Sequence, residues 1–217
     1  MVWIKICGIT NLEDAKSISE LGVDAMGFVL SVDSPRKVEV MTAYKIIEAL
    51  RTGENKISMV GVFVNEEIRR VLNDYRSLRL DYIQLSGDED RDYLKDLKEK
   101  SKDIKIIKSI RIKNKSESYR AKINKKVDKL KEYADFILMD SYSKNVYGGT
   151  GVSFNWDIVK DYYWEIPVIL SGGLDVENVR QAVDIVKPFG VDASSKLEIY
   201  PGKKDIDKVT KFINVLK

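Results

Sequence analysis

Few residues in this chain can carry chemistry. Its 217 residues include no histidine and a single cysteine, Cys7. Metal sites built on imidazole and ordinary structural zinc sites are thereby excluded. Acid–base work near neutral pH falls to Cys7, the carboxylates, the lysines and the tyrosines. Cys7 closes the first apolar run, WIKIC, just before Gly8. A thiol there is either a small buried hydrophobe or a reactive group, and its position alone leaves both open. Asp140 closes FILMD, where a carboxylate after four apolar residues is costly to bury without a partner. The following SYSKNVYGGTG reads as a loop, so a functional role is expected for Asp140 ahead of a helix cap. That loop holds Gly149 and Gly151, whose freed amides suit an anion or a closing lid as well as a plain turn. Gly172 and Gly173 in ILSGGLD, with Ser194 and Ser195 in VDASSKLE, are placed to receive one phosphate group. Arg36 follows Pro35, and its guanidinium fork suits a carboxylate, although a surface arginine looks the same. Lys5 and Asp192 are expected to form an ion pair inside the fold, with a Schiff-base Lys5 as the sharper alternative.

Positioning these groups requires a scaffold whose strand ends converge. Eight short apolar runs recur at Val2–Cys7, Ala25–Leu30, Ile57–Phe63, Tyr82–Leu85, Ile104–Ile110, Phe136–Asp140, Val168–Ser171 and Val191–Ser194. Between them lie stretches of helical spacing, such as NLEDAKSISELG with Asn11 or Thr10 as cap and Gly22 as stop. SGGLDVENVRQAVDIVK repeats that plan with Asp175 as cap, and the lysine-rich stretch from Asn114 to Tyr133 reads as a solvated helix. Eight strands alternating with eight helices predict an α/β fold, a single (β/α)8 TIM barrel spanning residues 1–217 as one domain. An open doubly wound sheet shares the alternation. The turn CGIT, however, supplies one glycine where a dinucleotide fingerprint needs three.

Composition narrows the class. Hydrophobic residues make up 44% and charged residues 33%, with a net charge of +3 spread through the chain. This gives no electrostatic case for nucleic acid or a membrane surface as partner. No apolar run approaches the roughly 20 residues that span a bilayer. No export signal is read at the N-terminus, and with one cysteine a cytoplasmic location is expected.

In order along nearly the whole chain, KICGIT, SPRKV, VGVFVN, IQLSGDE, LMDS with YGGTG, LSGGLDVENV and VDASS with PGKKD resemble the phosphoribosylanthranilate isomerase family of tryptophan biosynthesis. The resemblance implies a (β/α)8 enzyme using neither cofactor nor metal. Its substrate would be a small phosphosugar, N-(5′-phosphoribosyl)anthranilate, isomerised by an Amadori rearrangement to the 1-carboxyphenylamino-1-deoxyribulose phosphate. It further implies Asp140 as the acid that protonates the furanose oxygen and Cys7 as the base that takes the C2 proton. Arg36 would hold the anthranilate carboxylate. Gly149, Gly151, Gly172, Gly173, Ser194 and Ser195 would surround the phosphate. The chain departs from the family's usual pattern with Ser86 in place of histidine, Lys196 in place of glycine and Asn155 in place of a common aspartate. Two other readings are the related isomerase of histidine biosynthesis and a phosphate-binding barrel without turnover. Monomer and homodimer are both compatible with the sequence.

Overall fold

A strand buried on both faces must be apolar almost throughout, and the runs found in the sequence have that character. The computed structural model describes residues 2–53, 56–112, 117–141, 156–160 and 165–217. Its strands are β1 (Trp3–Cys7), β2 (Ala25–Val29), β3 (Ser58–Phe63), β4 (Tyr82–Leu85), β5 (Ile106–Ile112), β6 (Phe136–Ser141), β7 (Val168–Leu170) and β8 (Gly190–Ala193). They pair in parallel in sequence order, and β1 closes on β8 with Lys5 opposite Asp192. The expected barrel is therefore present, with β5 displaced two residues from its predicted span.

Seven α-helices cover it among the described residues, one fewer than expected: α1 (Leu12–Ser19), α2 (Val40–Arg51), α3 (Ile68–Ser77), α4 (Arg91–Lys100), α5 (Glu117–Leu130), α6 (Val179–Val186) and α7 (Ile206–Leu216). Between β6 and β7 the described residues hold only a 3-10 turn at Trp156–Ile158. Asn11 caps α1 by accepting the Asp14 amide, as its sequence predicts. Asp175 instead caps a turn over Glu177 and Asn178, and α6 begins only at Val179. The lysine-rich α5 is not solvated all round, because Ile123, Val127 and Leu130 are buried on one face. No described helix is long and apolar enough to cross a membrane.

Strand alternation divides the core in two. Residues facing outward from the barrel, such as Ile4, Ile6 and Phe28, pack under the helices. Inward-facing Ala25, Val60, Ile107, Leu138 and Ile169 fill the barrel above Trp3, Tyr82 and Phe136. On the N-terminal side, Asp24, Asp81 and Asp135 each precede an even-numbered strand and clasp the strand before it. Their carboxylates accept the amides of Ile4, Met59 and Ile106, each at 2.7 Å. Their own amides donate back to the carbonyls of the same three residues. Each clasp satisfies an amide at the start of a strand.

Beyond the predicted elements, a small antiparallel hairpin follows β8, made of β9 (Glu198–Tyr200) and β10 (Lys203–Lys204). It is tied to the start of α1. Thr10 donates its hydroxyl to the Gly202 carbonyl, and the buried Asp14 accepts the Lys204 amide at 2.7 Å and the Lys203 ammonium at 2.6 Å. Burial works against the Asp14 charge, yet these donors and Asn11 hold its pKa below the ordinary value. Its stabilising effect is therefore complete above the unfolded carboxylate's range and lost as pH falls through the lower folded value. Asp14→Asn is expected to cost about 1–3 kcal/mol at pH 7. Urea unfolding at two pH values checks this: the gap between wild type and variant should close in acid, and a gap independent of pH would contradict it.

Candidate active site

Period-two alternation aims Trp3, Lys5 and Cys7 on β1, and Phe136, Leu138 and Asp140 on β6, into the barrel. Cys7 and Asp140 stand at the carboxyl ends of their strands, the face where barrels of this kind carry chemistry. There both line one cavity of about 600 Å³, together with Arg36, Gln84, Ser86, Ser171, Asp192 and Ser194. Val29, Val62 and Leu138 supply its apolar wall. A smaller recess of about 250 Å³ adjoins it, lined by Gly172, Gly173, Ser195 and Lys196, and shares Asp140, Ser171, Asp192 and Ser194 with the main cavity. Of the nine residues given a catalytic or substrate-binding role by the resemblance, seven thus line the two adjoining cavities. Gly149 and Gly151 lie outside the described residues.

Local backbone explains why glycine stands at two of these places. Gly172 has φ +91°, and a Cβ there would come within 2.5 Å of the Ser141 amide nitrogen, so only glycine lets the β7 loop close against β6. Gly27 on β2 lies opposite Cys7, and a Cβ there would reach 2.7 Å from the sulfur and 3.1 Å from Lys5 Cε. The missing side chain leaves room for the thiol.

The electrostatics centre on a buried pair. Lys5 Nζ donates to Asp192 Oδ1 at 2.7 Å, the ion pair expected from the sequence. Burial works against the Lys5 charge, but Asp192 and the neighbouring Cys7 outweigh it and raise its pKa. Burial pushes the Asp140 carboxyl up to about 7, with the Asp192 charge adding to the effect; the Ser141 amide, Lys5 and Arg111 oppose it. An Asp140 of that kind holds its proton near neutrality. Burial also raises the Cys7 thiol, while Lys5 and Lys204 favour the thiolate and Asp192 opposes it. The arrangement presents two titratable groups, a carboxyl and a thiol, to a common space. Among the described residues no group of three or more His, Cys, Asp or Glu side chains is arranged to hold a metal ion.

Arg36 is less free than its sequence context suggests. Its Nε and Nη2 donate to the Glu198 carboxylate at 2.7–3.1 Å. Lys204, fully buried, donates to the same carboxylate at 2.7 Å. Neither Glu198 nor Lys204 was singled out in the sequence. Glu198 closes VDASSKLE and Lys204 lies in PGKKD, so both fall inside motifs that carry the resemblance, but neither was given a role there. The helix start expected beside the glycine pair is absent, since α6 begins six residues after Gly173; the recess is edged instead by the turn from Gly172 to Leu174.

With this geometry in hand, comparison with known proteins is direct. A family model described as N-(5′-phosphoribosyl)anthranilate (PRA) isomerase matches residues 4–215. An N-(5′-phosphoribosyl)anthranilate isomerase of Petrotoga mobilis is 41% identical, covering 99% of this chain and 96% of that protein. The crystal structure of phosphoribosyl anthranilate isomerase from Thermotoga maritima superposes with a TM-score of 0.85 at 36% identity, covering 99% of this chain and 98% of that one. A second isomerase crystal structure, in complex with reduced 1-(o-carboxyphenylamino)-1-deoxyribulose 5-phosphate, gives 0.79 at 35% identity over 99% and 97% of the two chains.

Proposed function

The chain belongs to the N-(5′-phosphoribosyl)anthranilate (PRA) isomerase family of tryptophan biosynthesis, and from that premise we propose that Asp140 and Cys7 are the acid and base of an Amadori rearrangement. One observation carries the assignment: the thiol and a carboxyl with pKa raised to about 7 line the same cavity, with a glycine-edged recess alongside. Asp140 gives its proton to the furanose oxygen of N-(5′-phosphoribosyl)anthranilate as the C1–O bond breaks, leaving an iminium between C1 and the anilino nitrogen. Cys7 as thiolate then removes the proton on C2, and the electron pair moves toward the iminium to form an enaminol. Tautomerisation yields the ketose, 1-(2-carboxyphenylamino)-1-deoxyribulose 5-phosphate. The ligand in the related crystal structure is a reduced form of such a product. The phosphate sits in the recess beside Gly172, Gly173, Ser194 and Ser195, with Lys196 at its rim adding positive charge. Arg36 receives the anthranilate carboxylate. Anchoring both ends of the substrate holds C2 and the ring oxygen between base and acid.

Growth rescue of a tryptophan auxotroph lacking this step, together with turnover coupled to indoleglycerol-phosphate synthesis, tests the reaction directly. The assignment of roles has its own signature in pH. The productive form needs Asp140 protonated and Cys7 ionised. Because burial raises both groups, most molecules between about pH 7 and the elevated thiol value hold the shared proton on sulfur instead. The productive arrangement is then a constant small fraction across that window. A plot of kcat/KM is expected to rise through about pH 7, stay level, and fall as the thiol loses its proton. Stopped assays across the neutral and alkaline range settle it; an optimum on the acid side of Asp140's value contradicts the pairing.

A further inference from the structure

Arg36 poses a problem that its neighbours resolve. A guanidinium offers five N–H donors along two usable edges. Glu198 occupies the edge formed by Nε and Nη2, with contacts of 2.9 Å and 3.1 Å from Nε and 2.7 Å from Nη2. Among the described residues Nη1 makes no hydrogen bond, which leaves the Nη1–Nη2 edge for a second carboxylate while Arg36 lines the cavity. An Arg–Glu pair alone would be neutral and would gain little from another anion. Here Lys204 adds a second cation, donating to Glu198 at 2.7 Å from a site with no exposure. Arg36, Glu198 and Lys204 together hold one net positive charge in a largely buried setting, where attraction for an anion is strong. Burial works against the Glu198 charge, but Arg36 and Lys204 hold its pKa below the ordinary value, so the carboxylate stays ionised.

The cluster is built to keep its place. The hairpin carrying Glu198 and Lys204 is fastened to α1 through Asp14 and to the β1 loop through Thr10. Gly8 lies against the Arg36 stem, and a Cβ there would come 2.8 Å from Cδ. Ser194 links the cluster to the thiol strand by donating to the Cys7 carbonyl at 2.9 Å.

We propose that Glu198, clamped by Lys204, is a positioning residue that presets Arg36 as a receptor for the substrate's aromatic carboxylate. The inference rests on the reading of Arg36 given above and deepens it. The hairpin, which forms no part of the barrel, then decides how the aromatic acid is held relative to Cys7.

Two substitutions that change the cluster's charge in opposite directions separate positioning from mere attraction. Glu198→Gln makes the cluster more positive, and charge alone would tighten anion binding. Lys204→Met makes it neutral. Positioning predicts that both variants raise KM for the isomerase substrate and weaken competitive inhibition by free anthranilate, each by about tenfold to a hundredfold. Inhibition by inorganic phosphate should not weaken, and in Glu198→Gln kcat should change less than KM; Lys204→Met also removes a cation that favours the Cys7 thiolate, so its readout is anthranilate inhibition. Glu198→Asp, which keeps the charge but shortens the reach, should show the same sign and serves if the glutamine variant does not fold. Unchanged or tighter anthranilate inhibition in Glu198→Gln, or equal weakening toward phosphate, would overturn the proposal. Should the wild-type protein not turn over the substrate, the reaction assignment fails separately. Calorimetric binding of anthranilate to wild type and variants still decides the receptor.

Discussion

Replacing Asp140 by asparagine is expected to lower kcat by about 10²–10⁴-fold while the protein still folds. Asparagine keeps the shape but has no proton to give a ring oxygen. The fold should survive because the natural carboxyl is already costly to ionise there: burial and the Asp192 charge hold it up to about 7. A neutral amide removes that cost, and the Lys5–Asp192 pair beside it stays intact. Steady-state kinetics with circular dichroism melts give the answer. A variant with near-normal turnover removes Asp140 from the reaction, and one that melts far below wild type assigns it a structural task instead.

Cys7→Ser is expected to lose activity over a similar range, about 10²–10⁴-fold, for the complementary reason. A hydroxyl ionises far too weakly to take a carbon-bound proton, whereas the thiol can reach its anion with Lys5 and Lys204 nearby. Among the described residues its apolar neighbours are Val29, Val62 and Val32, so replacing sulfur by oxygen disturbs little apolar contact. Because the chain has one cysteine, alkylation by iodoacetamide reports on this thiol alone. Its rate should climb with pH through a value above that of an ordinary thiol and be suppressed by substrate analogues. Retained turnover in the serine variant, or alkylation indifferent to ligand, would take the sulfur out of the mechanism.

The barrel was legible because its strands advertise themselves. VGVF and FILM are apolar on both faces, which half-exposed strands are not. Once the strands were placed, alternation alone sent Lys5, Cys7, Asp140 and Asp192 inward. β5 starts later than its apolar pattern suggests because Ile104 is buried before the strand begins, while Arg111 and Ile112 pair with Asp140 and Ser141 although Arg111 carries a half-buried charge. The Arg36 cluster was harder to see. Lys204 is buried where the hairpin meets the start of α1, its amide held by Asp14, 190 residues away. No local pattern encodes that distance. Likewise Asp175 and Asn178 bond reciprocally and the Val179 amide reaches the Asp175 carbonyl, so Asp175 opens one helical turn and the regular α6 ladder begins only at Val179.

The three aspartate clasps on the far side of the barrel fall at β1–β2, β3–β4 and β5–β6, and each joins an odd strand to the even one after it. These side-chain stitches thus fall at three of the four odd-to-even joints; at β7–β8, among the described residues, the Phe189 amide alone reaches back, to the Val168 carbonyl. A pair of strands copied or exchanged as a block would carry its own stitch with it. Moving a lone strand among the first six would leave an amide without its carboxylate, so within β1–β6 the strand pair is the smallest block whose start stays satisfied.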